Sequence, residues 1–462
     1  MSDVVYGDLV RKMRSGRITR RDFIQRASAL GLSATAISSA LRANPSYAQE
    51  ASEVVFWTTH TEPELSSLQN IVDAFNAGNS DVQATLVQVL GDETDTTQLM
   101  TAVRGGSGPD VYMLDRFIVA QRAAEGVLQD LSEFLGGEDP SETYVPFAWA
   151  EANFQGTPFA LPFDTDARAL FYNIGMLQEA GIDPAQLDIA NGPITWDSLA
   201  EMATQLNETD ADGNFSRMGF AAYTDQAWHY TYGFAFGGNF FDEAACEVTP
   251  DDAGVVAGHQ WLYDYVAALD PQKVNAFAGP VAATVTVPEE QQVFISERVA
   301  FTITGNWYLK TLPQYAPDIE YGVALMPVPN EGDESATWAG GWSAVIPQGA
   351  RNPEGAWQFM QHLAGEAGQR TYLEEVGNLP TIVSLLEESS LFTDERLRFF
   401  AQDLLPTARN RPPLPVGARY WDELTSAWER IYLNQEEPES ALAAVKDRVQ
   451  PDLQGFCPIG VV

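Results

Sequence analysis

Three short apolar runs separated by two helix-like segments open the body of the chain, and no other feature restricts its fold as much. Glu53–Trp57 reads as a strand. Ile71, Val72 and Phe75 mark the apolar side of a helix that ends at Ala77-Gly78-Asn79. Ala84–Val89 alternates as a second strand, Thr96–Arg104 reads as a second helix, and Val111–Leu114 is a third strand. Gly105-Gly106-Ser107-Gly108 precedes a strand instead of a helix, so it is a turn and not a phosphate cradle. This βαβαβ order predicts an α/β fold built on a parallel sheet with flanking helices. Ligands on such sheets sit beyond the carboxyl ends of the strands. Chemistry is therefore expected at Thr58–Glu62 and Asp115–Phe117.

From about residue 165 the pattern turns helical, with segments expected at Trp196–Leu206, Asp251–Leu269, Glu289–Ser296, Pro353–Leu363 and Trp421–Asn434. Phe301–Thr304 and Ser343–Pro347 read as strands returning to a sheet. The Asp-rich stretch Asp210–Asn214 lacks the closing Glu of a calcium loop and reads as a solvated turn.

The first 48 residues form a separate unit. Thr19-Arg20-Arg21-Asp22-Phe23 has the form of a twin-arginine export signal, followed by a mildly apolar stretch and by Ser46-Tyr47-Ala48, small residues where a signal peptidase cuts. The protein that works is then 49–462, in the periplasm or outside the cell. That part carries 18 basic against 61 acidic side chains, a net charge of −43, with only Lys273, Lys310 and Lys446 as lysines. Phosphate polymers and anionic membranes would be repelled, so nucleic acid is not expected as a partner. A charge this large needs salt to screen it, which suits a halophile. Cys246 and Cys457, 211 positions apart, have no metal or redox spacing and in an oxidising compartment most simply pair.

Four scattered histidines with no HExxH exclude the usual catalytic metal pattern, and no cofactor loop occurs. Asp164 and Asp166 alternate on an extended segment and are the one pair that a secreted glycosidase could use. The distinctive feature is aromatic placement. Trp57 ends the first strand, Trp228 sits beside His229 and Tyr230, Trp307 follows Thr304-Gly305-Asn306, Trp342 follows Gly340-Gly341, and Tyr420-Trp421 opens the last helix expected. Flat rings cover the C–H faces of a pyranose while Asp and Arg take its hydroxyls, so this combination suits a sugar site.

Val54-Val55-Phe56-Trp57, Gly108-Pro109-Asp110-Val111, Leu161-Pro162-Phe163 and Leu170-Phe171-Tyr172-Asn173 follow one another in a characteristic order. Phe301–Trp307, Gly340–Pro347 and Asn352–Trp357 continue it. Through nearly all of 53–455 the chain resembles the family 1 extracellular solute-binding proteins of ABC importers. The resemblance implies a two-lobe periplasmic-binding-protein-like fold with a hinge and a central ligand cleft. The crossings would fall near Pro162–Asp166, Thr302–Asn306 and Gly340–Ser343. One lobe would hold 49–163 with 304–341, the other 164–303 with 342–462, both cysteines lying in the second. Asp115 and Arg116 match a polar pair that grips sugar hydroxyls, and Asp166 matches a hinge carboxylate. Trp307, Tyr420-Trp421 and Trp228 or Tyr230 match stacking rings. Trp57, His60, Asp164, Gly341 and Trp342 complete the expected ligand-binding set. The loop after Trp57 carries Thr59, His60 and Glu62 where the maltose branch has an amide, an acid and a Lys, which argues against maltose itself. The resemblance further implies a non-enzymatic, monomeric protein that needs no cofactor and hands a mono- or oligosaccharide to a membrane permease. A secreted glycosidase and a sensory protein for a polyol phosphate or other non-sugar solute are the alternatives.

Overall fold

The computed structural model describes residues 51–91 and 94–459, together with positions 9–13, 17–18, 23–24, 26–27 and 37 of the N-terminal stretch. The twin-arginine pair and the cleavage site lie outside the described residues. Two five-stranded sheets organise the rest. The first runs in the order Val82–Gln88, Ser52–Thr58, Val111–Asp115, Trp342–Val345, Ala160–Pro162. Its first three strands are parallel, as the βαβαβ pattern predicts, and the last two join antiparallel. The run Val54–Trp57 is apolar throughout because both faces of this sheet are covered. Val54 and Phe56 enter one core with the helices Glu64–Gly78 and Pro353–Leu363. Val55 and Trp57 point the other way, into a core shared with the C-terminal helices Gly417–Tyr432 and Pro438–Leu453. Asp110, next to the third strand, accepts from the backbone of Val55 on one side and of Arg351 and Asn352 on the other.

The second sheet runs Tyr321–Ala324, Arg168–Asn173, Val299–Gly305, Phe215–Phe220, Glu208–Thr209. It is mixed: Val299–Gly305 lies parallel to Phe215–Phe220 and antiparallel to Arg168–Asn173. Its core adds the helix Trp196–Gln205 and residues of the segment 397–405.

Two expectations about the chain path need correction. Val299–Gly305 does not cross between the sheets, because the chain runs on into the helix Tyr308–Tyr315 of the same lobe. Gly305 resembles a hinge glycine but has another reason to be small. The Trp307 ring folds back over it, and a Cβ there would meet the ring at 1.9 Å. In place of Thr302–Asn306, the chain passes between the two cores after Leu385, which lies in the core of the first sheet, and before Phe392 and Leu397, which lie in that of the second. In consequence Tyr321–Ala324 belongs to the second sheet and Trp342–Val345 to the first, exchanging the places expected for 304–341 and for the beginning of 342–462. The helix expected over Glu289–Ser296 is only a short turn at Glu289–Gln291. Val293, Phe294 and Ile295 are buried in succession, which no single helix face allows.

Asp210 accepts from the backbone of Asp212 and Asn214, an Asx turn. Cys246 and Cys457 are bonded, with Cα atoms 6.1 Å apart, and tie the C-terminal tail to the hairpin Phe241–Val248 of the second lobe. Among the described residues no helix is long and apolar enough to cross a membrane.

Candidate ligand cleft and hinge

The hinge is built around Gly340-Gly341, between the paired stretch Trp338–Ala339 and the strand Trp342–Val345. Gly341 has φ +130, and a Cβ on it would meet the Asp164 carbonyl at 2.3 Å, so glycine is required. Arg116 is fully buried, and each of its three side-chain nitrogens donates a hydrogen bond. Its Nε donates to Glu151 at 2.6 Å, and its two terminal nitrogens donate to the carbonyls of Asp164 (2.5 Å) and Gly340 (2.6 Å). Asp164 accepts from the Trp342 backbone at 2.6 Å and from Asn378 Nδ2 at 2.5 Å. Asp166 accepts from Gly340 N at 2.6 Å and pairs with Arg168. Asp115 caps the turn that follows its strand and pairs with Arg411 at 2.7 Å.

These bonds revise the roles expected from sequence. Arg116 and Asp164 hold backbone in place at the crossings, and both oxygens of Asp164 are engaged, whereas Asp166 makes its bonds to Gly340 and Arg168 through Oδ1 alone. Trp57 is fully buried in the sheet core, and Tyr420 is buried with its hydroxyl on the Phe240 carbonyl at 2.9 Å. Gly341 serves the hinge.

Among the other expected residues, two rings touch more than one core. Trp421 packs between Phe117 of the first lobe (ring centroids 5.6 Å) and Trp228 of the second (5.2 Å). Trp228 is half-buried and touches both neighbouring cores. Trp307, also half-buried, bridges the cores of the two sheets. Trp342 is half-buried against His60 at 4.3 Å. His60 shares a 2.6 Å hydrogen bond with Thr58 Oγ1, and its Nε2 is buried without a partner.

Sequence reading missed Arg168 and Arg411. The Arg168 guanidinium lies 3.5 Å from the Trp338 ring centroid, and that of Arg411 lies 3.9 Å from Phe117. Both approach Gly340, where a Cβ would meet their nitrogens at 3.3 Å. Arg411 has no local mark, its partner Asp115 lying 296 positions away, whereas the partner of Arg168, Asp166, is only two positions away. Asp225 and Gln226, half-buried on the loop after Phe215–Phe220, were also missed. Asp225 accepts from Thr302 Oγ1 at 2.9 Å, and Gln226 accepts from Arg168 at 3.2 Å.

Burial sets the electrostatics. It raises the Asp164 carboxyl to about 7, against the opposing bonds from Asn378 and Trp342, and raises Asp225 to about 6. It lowers His60 to about 3, so this ring is neutral, and lowers Arg168 to about 10, which leaves it charged at neutral pH. Asp115 is raised by burial in spite of Arg411 and Arg116. Among the described residues no cluster of His, Cys, Asp and Glu could hold a metal ion.

Proteins of known function and solved structures resemble this chain over most of its length. A maltotriose-binding protein of Pyrococcus abyssi is 22% identical over 411 residues, covering 87% of this chain and 83% of that protein. An sn-glycerol-3-phosphate-binding periplasmic protein of Escherichia coli is 24% identical over 450 residues, covering 92% and 97%. A solved mannobiose-bound protein superposes with a TM-score of 0.76 at 21% identity, covering 86% of this chain and 99% of that one. Residues 59–370 match the model of one family, and the chain belongs to the bacterial extracellular solute-binding proteins.

Proposed function

We propose that this protein captures a mono- or oligosaccharide in the cleft between its lobes and delivers it to an ABC permease. The carrying observation is the set of half-buried rings, Trp228, Trp307 and Trp342, that meet the interface from different elements. With Trp421 and Asp225 they supply stacking faces and a hydroxyl acceptor. Sugar-binding relatives such as the maltotriose-binding protein support the same reading. The lobes that close are taken to be 51–162 with 342–386, and 168–339 with 395–459. Ligand bound between them favours the closed state, which the permease would engage. No covalent step is required of any residue. The family supports a place outside the cytoplasm, and Arg20-Arg21 supports export by the twin-arginine route of a protein that then works as a monomer.

Tryptophan fluorescence of the protein, titrated with a panel of neutral sugars and polyol phosphates, tests the reading. A saturable change with one sugar, recovered intact, is the expected result, and release of a cleaved product would overturn it. Trp307→Ala should weaken that sugar at least about tenfold while the circular dichroism spectrum stays native. Loss of the native spectrum would make Trp307 a core residue instead.

A further inference from the structure

The second lobe carries a groove lined by none of the residues assigned to the ligand cleft. The helices Trp196–Gln205 and Ala253–Ala268 both rest on the core of the second sheet, through Trp196 and Leu199 on one and Leu262 and Tyr265 on the other. They meet at Trp261, whose ring lies 4.7 Å from that of Trp196 and whose Nε1 donates to Asp197 Oδ1 at 3.2 Å. Between their outward faces runs an open groove of about 600 Å³. Residues three and four positions apart share one face of a helix. That spacing brings Asp197 and Glu201 to one wall and Trp261, Asp264 and Tyr265 to the other.

The floor of this groove is apolar and held in place. The Trp261 ring stacks parallel to Tyr265, with centroids 5.1 Å apart, and the Tyr265 hydroxyl donates to the Phe220 carbonyl at 2.8 Å. Trp261 stays half-buried, as do Ala200 and Leu269 beside it, so apolar surface is left for a partner to cover. The walls are acidic. Asp197, Glu201 and Asp264 are exposed, and among the described residues no lysine or arginine lines the groove. A second copy of this chain would bring its own excess of carboxylates, 61 acidic against 18 basic side chains in 49–462, and be repelled. A neutral segment would cover the walls without any opposite charge to replace the water it removes. Charge and shape together fit a segment that seats an apolar side chain on Trp261 and sets Lys or Arg against the three carboxylates.

We propose that the groove between Trp196–Gln205 and Ala253–Ala268 is a docking site for a basic segment of the ABC permease. The proposal rests on the delivery function proposed above and gives it a contact surface. Both helices belong to one lobe, so the groove keeps its shape whether the cleft is open or closed. A contact of this kind has the same affinity for both states and shifts neither. It therefore acts as a tether that raises the rate of encounter through charge attraction, while preference for the loaded, closed protein comes from surfaces that change on closure.

The test is made in the cells that produce the protein, with a photo-crosslinking amino acid in place of the exposed Thr204 of the groove. The expected adduct joins this protein to a membrane-spanning subunit of an ABC importer, identified by mass spectrometry, and forms with or without sugar in the medium. It should be lost in Asp197→Asn/Glu201→Gln/Asp264→Asn, which removes the charge of the walls, and in Ala268→Trp, which fills the groove. Glu331→Gln/Asp333→Asn/Glu334→Gln, an equal change of charge on an exposed loop elsewhere, should leave it intact. Without the crosslinker, the two groove variants should lower sugar uptake at least about fivefold and keep wild-type sugar affinity in calorimetry of the purified protein. An adduct with a second copy or with the basic residues 1–48, no adduct with any permease subunit, or full uptake in both groove variants would overturn the docking site. Because the adduct needs no cargo, a permease adduct from a protein that binds no sugar would keep the docking site and remove the sugar reading alone.

Discussion

At the scale of single residues, the hinge is an example of buried charges that hold backbone in place. Arg116 and Glu151 are both almost inaccessible and lie 2.6 Å apart. Arg116→Ala strands the Glu151 carboxylate and two carbonyls, and should cost ~3–5 kcal/mol in urea unfolding. Arg116→Met with Glu151→Met removes both charges and should recover most of that loss. If the double variant is no more stable than the single, the stranded carboxylate is not the cause. Asp164 gives a second, pH-dependent prediction. Its folded value, about 7, lies above the ordinary 3.8. The unfolded chain therefore loses this proton first, and the group's contribution is present below about pH 4 and lost as pH rises to about 7. Asp164→Asn cannot ionise, and Asn378 Oδ1, buried without a partner, can accept from the new amide once Asn378 turns. The stability of the variant relative to wild type should improve steadily between pH 4 and 7. A difference that stays constant with pH would refute the assignment.

At the scale of elements, the strands and helices legible in the sequence are those whose burial follows one period. Ser52–Thr58, Thr97–Arg104 and Pro353–Leu363 appear within a residue or so of their expected places. Glu289–Ser296 failed because three successive buried residues follow no helical face. Val299–Gly305 was seen as a strand and misjudged as a crossing, since a glycine at its end has two explanations that only the fold of Trp307 separates. The C-terminal helix Pro438–Leu453 is held twice. Ala441, Leu442, Val445, Val449 and Leu453 are buried, and Cys457 just beyond it is bonded to Cys246. A bridge spanning 211 positions should stabilise by up to about 5 kcal/mol through the unfolded state. Cys246→Ser/Cys457→Ser should lower the unfolding free energy by ~2–5 kcal/mol and leave sugar titration unchanged, because the bridge lies within one lobe. Weakened sugar binding would mean that the tail also positions Trp421.

At the scale of the whole molecule, a net charge of −38 repels itself, and ion pairs, each neutral in sum, leave it unchanged. The thermal midpoint should rise between about 0.1 and 2 M KCl, as counterions screen the surface within a few ångströms. A midpoint that does not move with salt would make the acidity incidental to stability. Composition by itself argues against phosphate polymers as partners, and the order of apolar runs by itself predicts the parallel strands Ser52–Thr58, Val82–Gln88 and Val111–Asp115. These properties need only local periods and summed charge, both of which can be counted along the chain. The roles of the site residues needed the tertiary structure. Asp115, Arg116, Asp164 and Asp166 were visible as polar residues near a cleft, but whether a side chain faces solute or backbone depends on partners far away in sequence. Glu151, Gly340 and Arg411 are such partners: they turn Arg116 into a hinge clamp and bring a second arginine onto Asp115.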